Sequence, residues 1–230
     1  MRLDKFLKDT GFGSRKEVKV LIKQKRVSVN DIVVSNEGIS VNENTDIIKV
    51  DDKQVIYIKY VYIMLNKPQG VVSATIDNVH STVIDLINDY KYLDLFPVGR
   101  LDIDTEGLLL ITNDGALSHN LLSPKKHVDK TYYLETNEVL TSDDINQIES
   151  GVLIDNELTL PAKLEIVEDN KYLLTIHEGK FHQVKRMISS VGKKVTFLKR
   201  IKFGSLELDK NLPLGSYRLL TNEEIEELKK

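Results

Sequence analysis

The chain contains no cysteine and no tryptophan. Without cysteine there is no disulfide scaffold, no thiolate-bound zinc, no iron–sulfur cluster and no thiol nucleophile, and the composition fits a reducing compartment. The five histidines are scattered, with no spacing suited to a metal. No apolar run approaches the roughly 20 residues that span a bilayer. The opening MRLDKFLKDTGFGSRKEV carries too much charge for a secretory signal. These absences lead to the expectation of a soluble, cytoplasmic protein with no membrane partner.

What remains is ordinary globular material: 230 residues, 41% hydrophobic and 29% charged, enough to build at least one real core. The formal net charge of −3 hides a segregation. Residues 1–26 carry nine Lys and Arg against three acids, and residues 180–202 carry eight and no acid. Two basic patches on an otherwise acidic body suit a polyanion, because contacts to phosphates supply most non-specific affinity for nucleic acid.

Leu3, Phe6 and Leu7 recur at helical spacing and Gly11 follows, so residues 2–10 read as a short amphipathic helix. Ser14-x-x-Glu17 is a capping box that opens a second helix with Val18, Leu21 and Ile22 as its apolar stripe. The period then changes to two in Val27–Val29, with Asn30-Asp31 as the turn and Ile32–Val34 as the return strand. Further strands around Asp46–Val50 and Val55–Ile58 complete a unit of residues 1–59. Gly11-Phe12-Gly13 lacks both a preceding strand and a third glycine, which rejects a dinucleotide loop.

From residue 60 to 230 the chain is richer in β-structure, with apolar runs at Tyr62–Leu65, Leu108–Thr112, Tyr132–Glu135, Tyr172–Ile176 and Tyr217–Leu220. Helices are expected at Thr82–Asn88, Ser142–Ser150 and Phe181–Val191, and a short one at the acidic Glu223–Glu227 tail. Strands outnumber helices without regular crossovers. The expected class is therefore α+β, a small N-terminal domain followed by a larger one on a mixed, mainly antiparallel sheet.

The densest chemical signal is Gly99-Arg100-Leu101-Asp102-Ile103-Asp104-Thr105-Glu106-Gly107, a turn between an apolar entry and an apolar strand. Its three carboxylates allow a metal site, an acid–base pair, or simple turn formers. Asp102 stands out because Arg100, or a cation from elsewhere in the chain, would hold it ionised and usable as a nucleophile.

This stretch resembles the central motif of the RsuA-type pseudouridine synthases. Tyr62–Gly70, Lys130-Thr131-Tyr132, Glu178–Met187 and Leu198–Gly204 are similar to further motifs of that family, and residues 1–59 look like an S4-type RNA-binding domain. The resemblance implies isomerisation of a specific uridine to pseudouridine in ribosomal RNA, with no cofactor and no metal. It implies catalytic roles for Asp102 at the ribose, Tyr132 at the base and Lys185 as the cation beside Asp102. Arg100, Ile176, His182, Arg186 and Lys67 are expected around the substrate, and Arg2, Lys5, Ser14, Arg15 and Lys16 on the RNA. His127 within Ser123–Val128, together with Met64–Gly70, looks more like the small-subunit (16S) enzymes than the large-subunit ones. The expected partner is 16S rRNA or a partly assembled small subunit, met by a monomer. The competing readings are a large-subunit enzyme, a non-catalytic RNA-binding or assembly factor, and a metal-dependent phosphodiesterase built on Asp102, Asp104 and Glu106.

Overall fold

The structure is a computed structural model that describes residues 1–123 and 126–230. Pro124 and Lys125, part of the Ser123–Val128 stretch, lie outside the described residues. Two compact units are present: Met1–Val61 with Asn88–Leu95, and Tyr62–Ile87 with Phe96–Lys230.

In the first unit, helices α1 (Leu3–Asp9) and α2 (Arg15–Lys23) precede strands β1 (Val27–Val29), β2 (Ile32–Val33), β3 (Ile48–Val50) and β4 (Lys53–Val55), paired in the order β2-β1-β3-β4. The capping box forms as expected: Glu17 N–H donates to Ser14 Oγ at 3.3 Å, and Ser14 N–H returns to the Glu17 carboxylate at 2.8 Å. Leu3, Phe6, Leu7, Val18, Ile22, Val27 and Ile48 bury together as its core. Both hairpins turn on left-handed pairs, Asn30-Asp31 (φ 49° and 63°) and Asp51-Asp52 (φ 48° and 63°). Such pairs match the twist of the flanking strands and are tolerated by Asn and Asp. The second turn starts the return strand at Lys53, which corrects the expected Val55–Ile58 strand.

The second unit comprises β5 (Tyr62–Lys67), β6 (Phe96–Pro97), β7 (Glu106–Thr112), α3 (Gly115–Leu122), β8 (Lys130–Thr136), α4 (Ser142–Ser150), β9 (Leu153–Ile154), β10 (Glu157–Leu158), β11 (Lys163–Glu168), β12 (Lys171–Ile176), α5 (Gln183–Ser190), β13 (Val195–Phe203), β14 (Leu206–Glu207), β15 (Tyr217–Leu219) and α6 (Asn222–Lys229). The central sheet runs β11-β12-β8-β13-β7-β5-β15, with β14 beside β13 and β6 beside β7. Within this sheet every strand pairing among the described residues is antiparallel except β13 with β7. Leu117 and Leu121 of α3 and Leu228 of α6 pack on Tyr62, Met64, Leu108 and Leu110 of the sheet.

Two helix expectations need correction. Thr82–Asn88 is a set of turns: Thr82 exchanges hydrogen bonds with Asp85 at 2.7–3.3 Å, and Ile87 N–H reaches only Ile84 at 3.0 Å. A Thr-x-x-Asp pair caps one turn there, but Thr82 itself is bridged to Val72 in extended backbone, so the helix never propagates. Helix α3, which the apolar spacing did not reveal, starts at Asp114. Its carboxylate accepts from Leu117 N–H at 3.1 Å and from the Tyr62 hydroxyl at 2.8 Å.

The parallel β13–β7 contact sets Arg200 against Gly107. Gly107 has φ +103°, and a Cβ there would lie 2.2 Å from Arg200 O and 2.8 Å from Arg200 N. Glycine is required on both counts, conformation and space. Gly107→Ala is expected to cost roughly 3 kcal/mol or more, from left-handed strain and overpacking together. Urea unfolding checks this: the Gly107→Ala midpoint should fall clearly, whereas Gly115→Ala at the open first turn of α3 should leave it unchanged or raise it.

Candidate active site

A pocket of about 470 Å³ opens in the second unit, over the middle of the sheet. Its floor follows from strand register. One cross-strand row is Leu174, Tyr132, Arg200 and Gly107, and the next is Ile176, Lys130 and Phe203. Alternation along β8 sends Tyr133 to the opposite face, where its hydroxyl donates to Glu135 at 2.7 Å. Tyr132, 8% exposed, lines the pocket and makes no hydrogen bond within the described residues through its hydroxyl.

The turn that carries Asp102 forms the rim and is held from beneath at several points. Ser73 Oγ accepts from Leu101 N–H at 3.0 Å and donates to Leu101 O at 2.9 Å. Gly70 N–H donates to Ile103 O at 2.8 Å. Lys67, fully buried at the end of β5, donates from Nζ to the carbonyls of Asp102 (2.9 Å), Thr105 (2.9 Å), Pro68 (3.1 Å) and Ile103 (3.4 Å). The ammonium thus replaces water for four carbonyls that converge under the turn. Burial pushes its pKa down to about 8, and the carboxylates of Asp102, Asp104 and Glu106 limit that fall.

Above this base, Lys185 projects from α5. Its Nζ lies 3.0 Å from Asp102 Oδ2 and 2.5 Å from Asp104 Oδ1, while His182 Nε2 sits 3.6 Å from Asp102 Oδ1. Partial burial works against the Lys185 charge, but the two carboxylates outweigh it and its pKa is raised. Asp104 shows the complement: desolvation is outweighed by the bond and charge of Lys185, and its pKa is lowered. The Asp102 side chain is a quarter exposed, a carboxylate at a pocket wall rather than on open surface.

Of the residues singled out from sequence, Asp102, Tyr132, Lys185, Arg100, Ile176 and His182 all line the pocket, and Lys67 lies beneath its rim. The cation at Asp102 is Lys185; Arg100 is exposed and forms no ion pair within the described residues. Arg186 is not among the pocket residues. Adjacent helical positions diverge by about 100°, and its guanidinium instead grips Asp155 at 2.6 and 2.8 Å. In the first unit Arg2, Lys5, Arg15 and Lys16 line a separate basic concavity with Lys19, which the sequence reading did not single out. The Ser14 hydroxyl is spent on the α2 cap. Arg200, Lys130, Ser73 and Phe181 also belong to the pocket and were missed as site residues. Lys130, Phe181 and Arg200 lie in stretches that resemble family motifs, but no role was read for them there.

Replacing Lys67 by methionine removes the ammonium from four carbonyls, of which Asp102 O and Ile103 O keep a backbone donor, and should cost about 3 kcal/mol. The folded pKa of Lys67 is below its unfolded value. Between about 8 and the ordinary lysine range the unfolded chain therefore binds more protons, and stability rises with pH through this group. Urea titrations at pH 7 and pH 10 should show a larger upward change for wild type than for Lys67→Met. Parallel pH profiles would contradict the burial of this charge.

The chain matches the family model described as RNA pseudouridylate synthase over residues 61–190 and the S4 domain model over residues 1–47. It is 46% identical to an uncharacterized RNA pseudouridine synthase, YtzG, of Bacillus subtilis (strain 168), covering 98% of this chain and 97% of the relative. It is 42% identical to ribosomal small subunit pseudouridine synthase A of Vibrio cholerae, covering 98% of each. A solved structure described as a pseudouridylate synthase superposes with a TM-score of 0.70 at 38% identity, covering 99% of both chains. With that coverage, and with an aspartate, a lysine and a tyrosine gathered in one pocket of the matched region, the chain belongs to the RNA pseudouridylate synthase family and is an RNA-modifying isomerase.

Proposed function

We propose that this protein converts one uridine of small-subunit (16S) ribosomal RNA to pseudouridine, using Asp102 as the group that acts on the ribose. The carrying observation is the pairing of Asp102 with Lys185 at 3.0 Å in a pocket that also contains Tyr132. The small-subunit target is supported by the relatives of that name from Vibrio cholerae and from Escherichia coli (strain K12), the latter 40% identical over 98% of each chain.

The reaction breaks the bond from C1′ to N1, turns the uracil over and joins C1′ to C5; the proton at C5 is lost and N1 regains one. It is an isomerisation without net redox change. The protein has to supply a carboxylate at the sugar, a wall that keeps the freed base in place, and a group that helps proton removal at C5. Asp102 is the carboxylate, paired with the Lys185 ammonium at the partly desolvated rim. Ile176 and Tyr132 bound the base, and the unengaged Tyr132 hydroxyl is available to the C5 proton. His182 and Arg100 stand at the rim beside the sugar–phosphate chain.

The target nucleotide must leave its stack to reach this pocket, at a cost of a few kcal/mol. The basic concavity of the first unit, lined by Arg2, Lys5, Arg15, Lys16 and Lys19, offers phosphate contacts to offset it. On this reading residues 1–59 are the RNA-binding domain and residues 60–230 the catalytic domain of a cytoplasmic monomer. Its substrate is free rRNA or a partly assembled small subunit. Among the described residues no helix is long and apolar enough to cross a membrane. A metal-dependent phosphodiesterase is disfavoured because the Lys185 ammonium already sits between Asp102 and Asp104, where a cation would have to bind.

Small-subunit rRNA transcribed with 5-tritiated uridine tests the reading. Wild type should release tritium to water, and Asp102→Ala should release none above background. Lys185→Met should slow release by roughly a hundredfold or more while leaving RNA affinity within several-fold, because a cation acting on the reacting carboxylate affects rate more than binding. Equal release by wild type and Asp102→Ala would overturn the assignment.

A further inference from the structure

The pocket floor holds a charge that the assignments above do not use. Arg200 is 2% exposed, yet among the described residues only its Nε–H finds an acceptor, Leu108 O at 2.8 Å. Nη2 is buried without a partner, and no carboxylate pairs with the guanidinium within the described residues. One face is covered by the Phe203 ring, whose centroid lies 5.0 Å from Cζ. A buried cation with unspent donors is costly unless an acceptor arrives from outside.

The surroundings are built to keep it there. Gly107 lets the β13 backbone approach at Arg200, where any Cβ would collide. A β-bulge between Arg200 and Lys202 then interrupts the pairing with β8, directly beside Tyr132. Bulges of this kind re-aim a side chain. Arg200 therefore stands next to Tyr132 in the floor, while Asp102 and Lys185 occupy the rim.

We propose that Arg200 donates a hydrogen bond to a carbonyl oxygen of the target uracil and stabilises the base as it detaches. This inference rests on the reading of the pocket as a uridine site. When the C1′–N1 bond breaks, its electron pair passes to the uracil and spreads over O2 and O4, so a nearby guanidinium stabilises the departing base. Uracil also has a useful pseudo-symmetry. Turning it about the axis through N3 and C6 exchanges N1 with C5 and O2 with O4. A fixed donor that holds one carbonyl in the substrate meets the other in the product, so the same hydrogen bond is available before and after the rotation. A phosphate is the poorer fit, because the RNA backbone stays at the mouth when a base enters a pocket.

The test compares wild type, Arg200→Lys and Arg200→Gln in full-length protein, by single-turnover tritium release from small-subunit rRNA and by RNA dissociation constant. Release should slow about a hundredfold in Arg200→Gln, as for loss of a charge-stabilising donor, and recover in part in Arg200→Lys. RNA affinity should stay within about threefold. Near wild-type release by a folded Arg200→Gln, or a loss carried by affinity alone, overturns the proposal. A second measurement needs no glutamine variant and no turnover. Wild type with 15N-labelled arginine is titrated with uridine 5′-monophosphate, the Arg200 Nε–H resonance being assigned by its disappearance in Arg200→Lys. A shift with the nucleotide that ribose 5-phosphate does not reproduce supports the contact with uracil. No shift, or the same shift with ribose 5-phosphate, overturns it. If wild type releases no tritium from either free rRNA or a partly assembled small subunit, the synthase reading fails, and this titration alone decides whether Arg200 contacts uracil.

Discussion

One ammonium group links the two halves of the candidate site. Lys185 on α5 lies between the carboxylates of Asp102 and Asp104, which belong to a turn some eighty residues earlier in the chain. Two carboxylates close together at a pocket rim repel each other, and desolvation favours protonating one of them. The shared cation offsets that repulsion, holds the Asp104 carboxyl below its ordinary range, and ties α5 to the turn. The rest of the second unit serves this contact. Its sheet carries β7 and β13 side by side, Ser73 and Lys67 fix the backbone around Asp102, and the α5 stripe of Val184, Met187 and Ile188 is buried, leaving Lys185 free for the pocket.

Lys67 shows how much is invested in the shape of the turn. It is a charged side chain buried completely and used only on backbone carbonyls. Such a group lowers stability on its own. Its worth lies in forcing the carbonyls of residues 102, 103 and 105 to converge downward, which constrains the turn that presents the Asp102 carboxylate. Arg200 follows the same logic one layer deeper. It is buried, only partly satisfied, and held where glycine alone permits the backbone to pass.

The sequence made local features legible. The Ser14–Glu17 cap, the Asn30-Asp31 turn and the apolar strands appear where short-range chemistry puts them. Asp102 was visible because its motif is contiguous, and Tyr132 because Lys130-Thr131-Tyr132 resembles a segment of the family. Contacts between distant elements were not visible. Nothing local shows that Lys185 rather than Arg100 meets Asp102, or that Arg186, one residue along the helix, turns away to Asp155. The Thr82–Asn88 turns look helical in spacing because a single capped turn and a short helix share the same first four residues. Arg200 was hidden most completely: in a run of lysines and arginines it reads as surface charge, and only the sheet reveals that it is internal.

The central claim is that the carboxylate at position 102, paired with Lys185, isomerises a uridine in ribosomal RNA. Mapping of pseudouridines in small-subunit rRNA, by carbodiimide modification and reverse transcription, tests it most directly in cells lacking this gene. The account predicts that one modification signal disappears, returns with the wild-type gene, and does not return with Asp102→Asn, whose side chain keeps the shape but not the charge. An unchanged map in the deleted strain, or full restoration by Asp102→Asn, would contradict it.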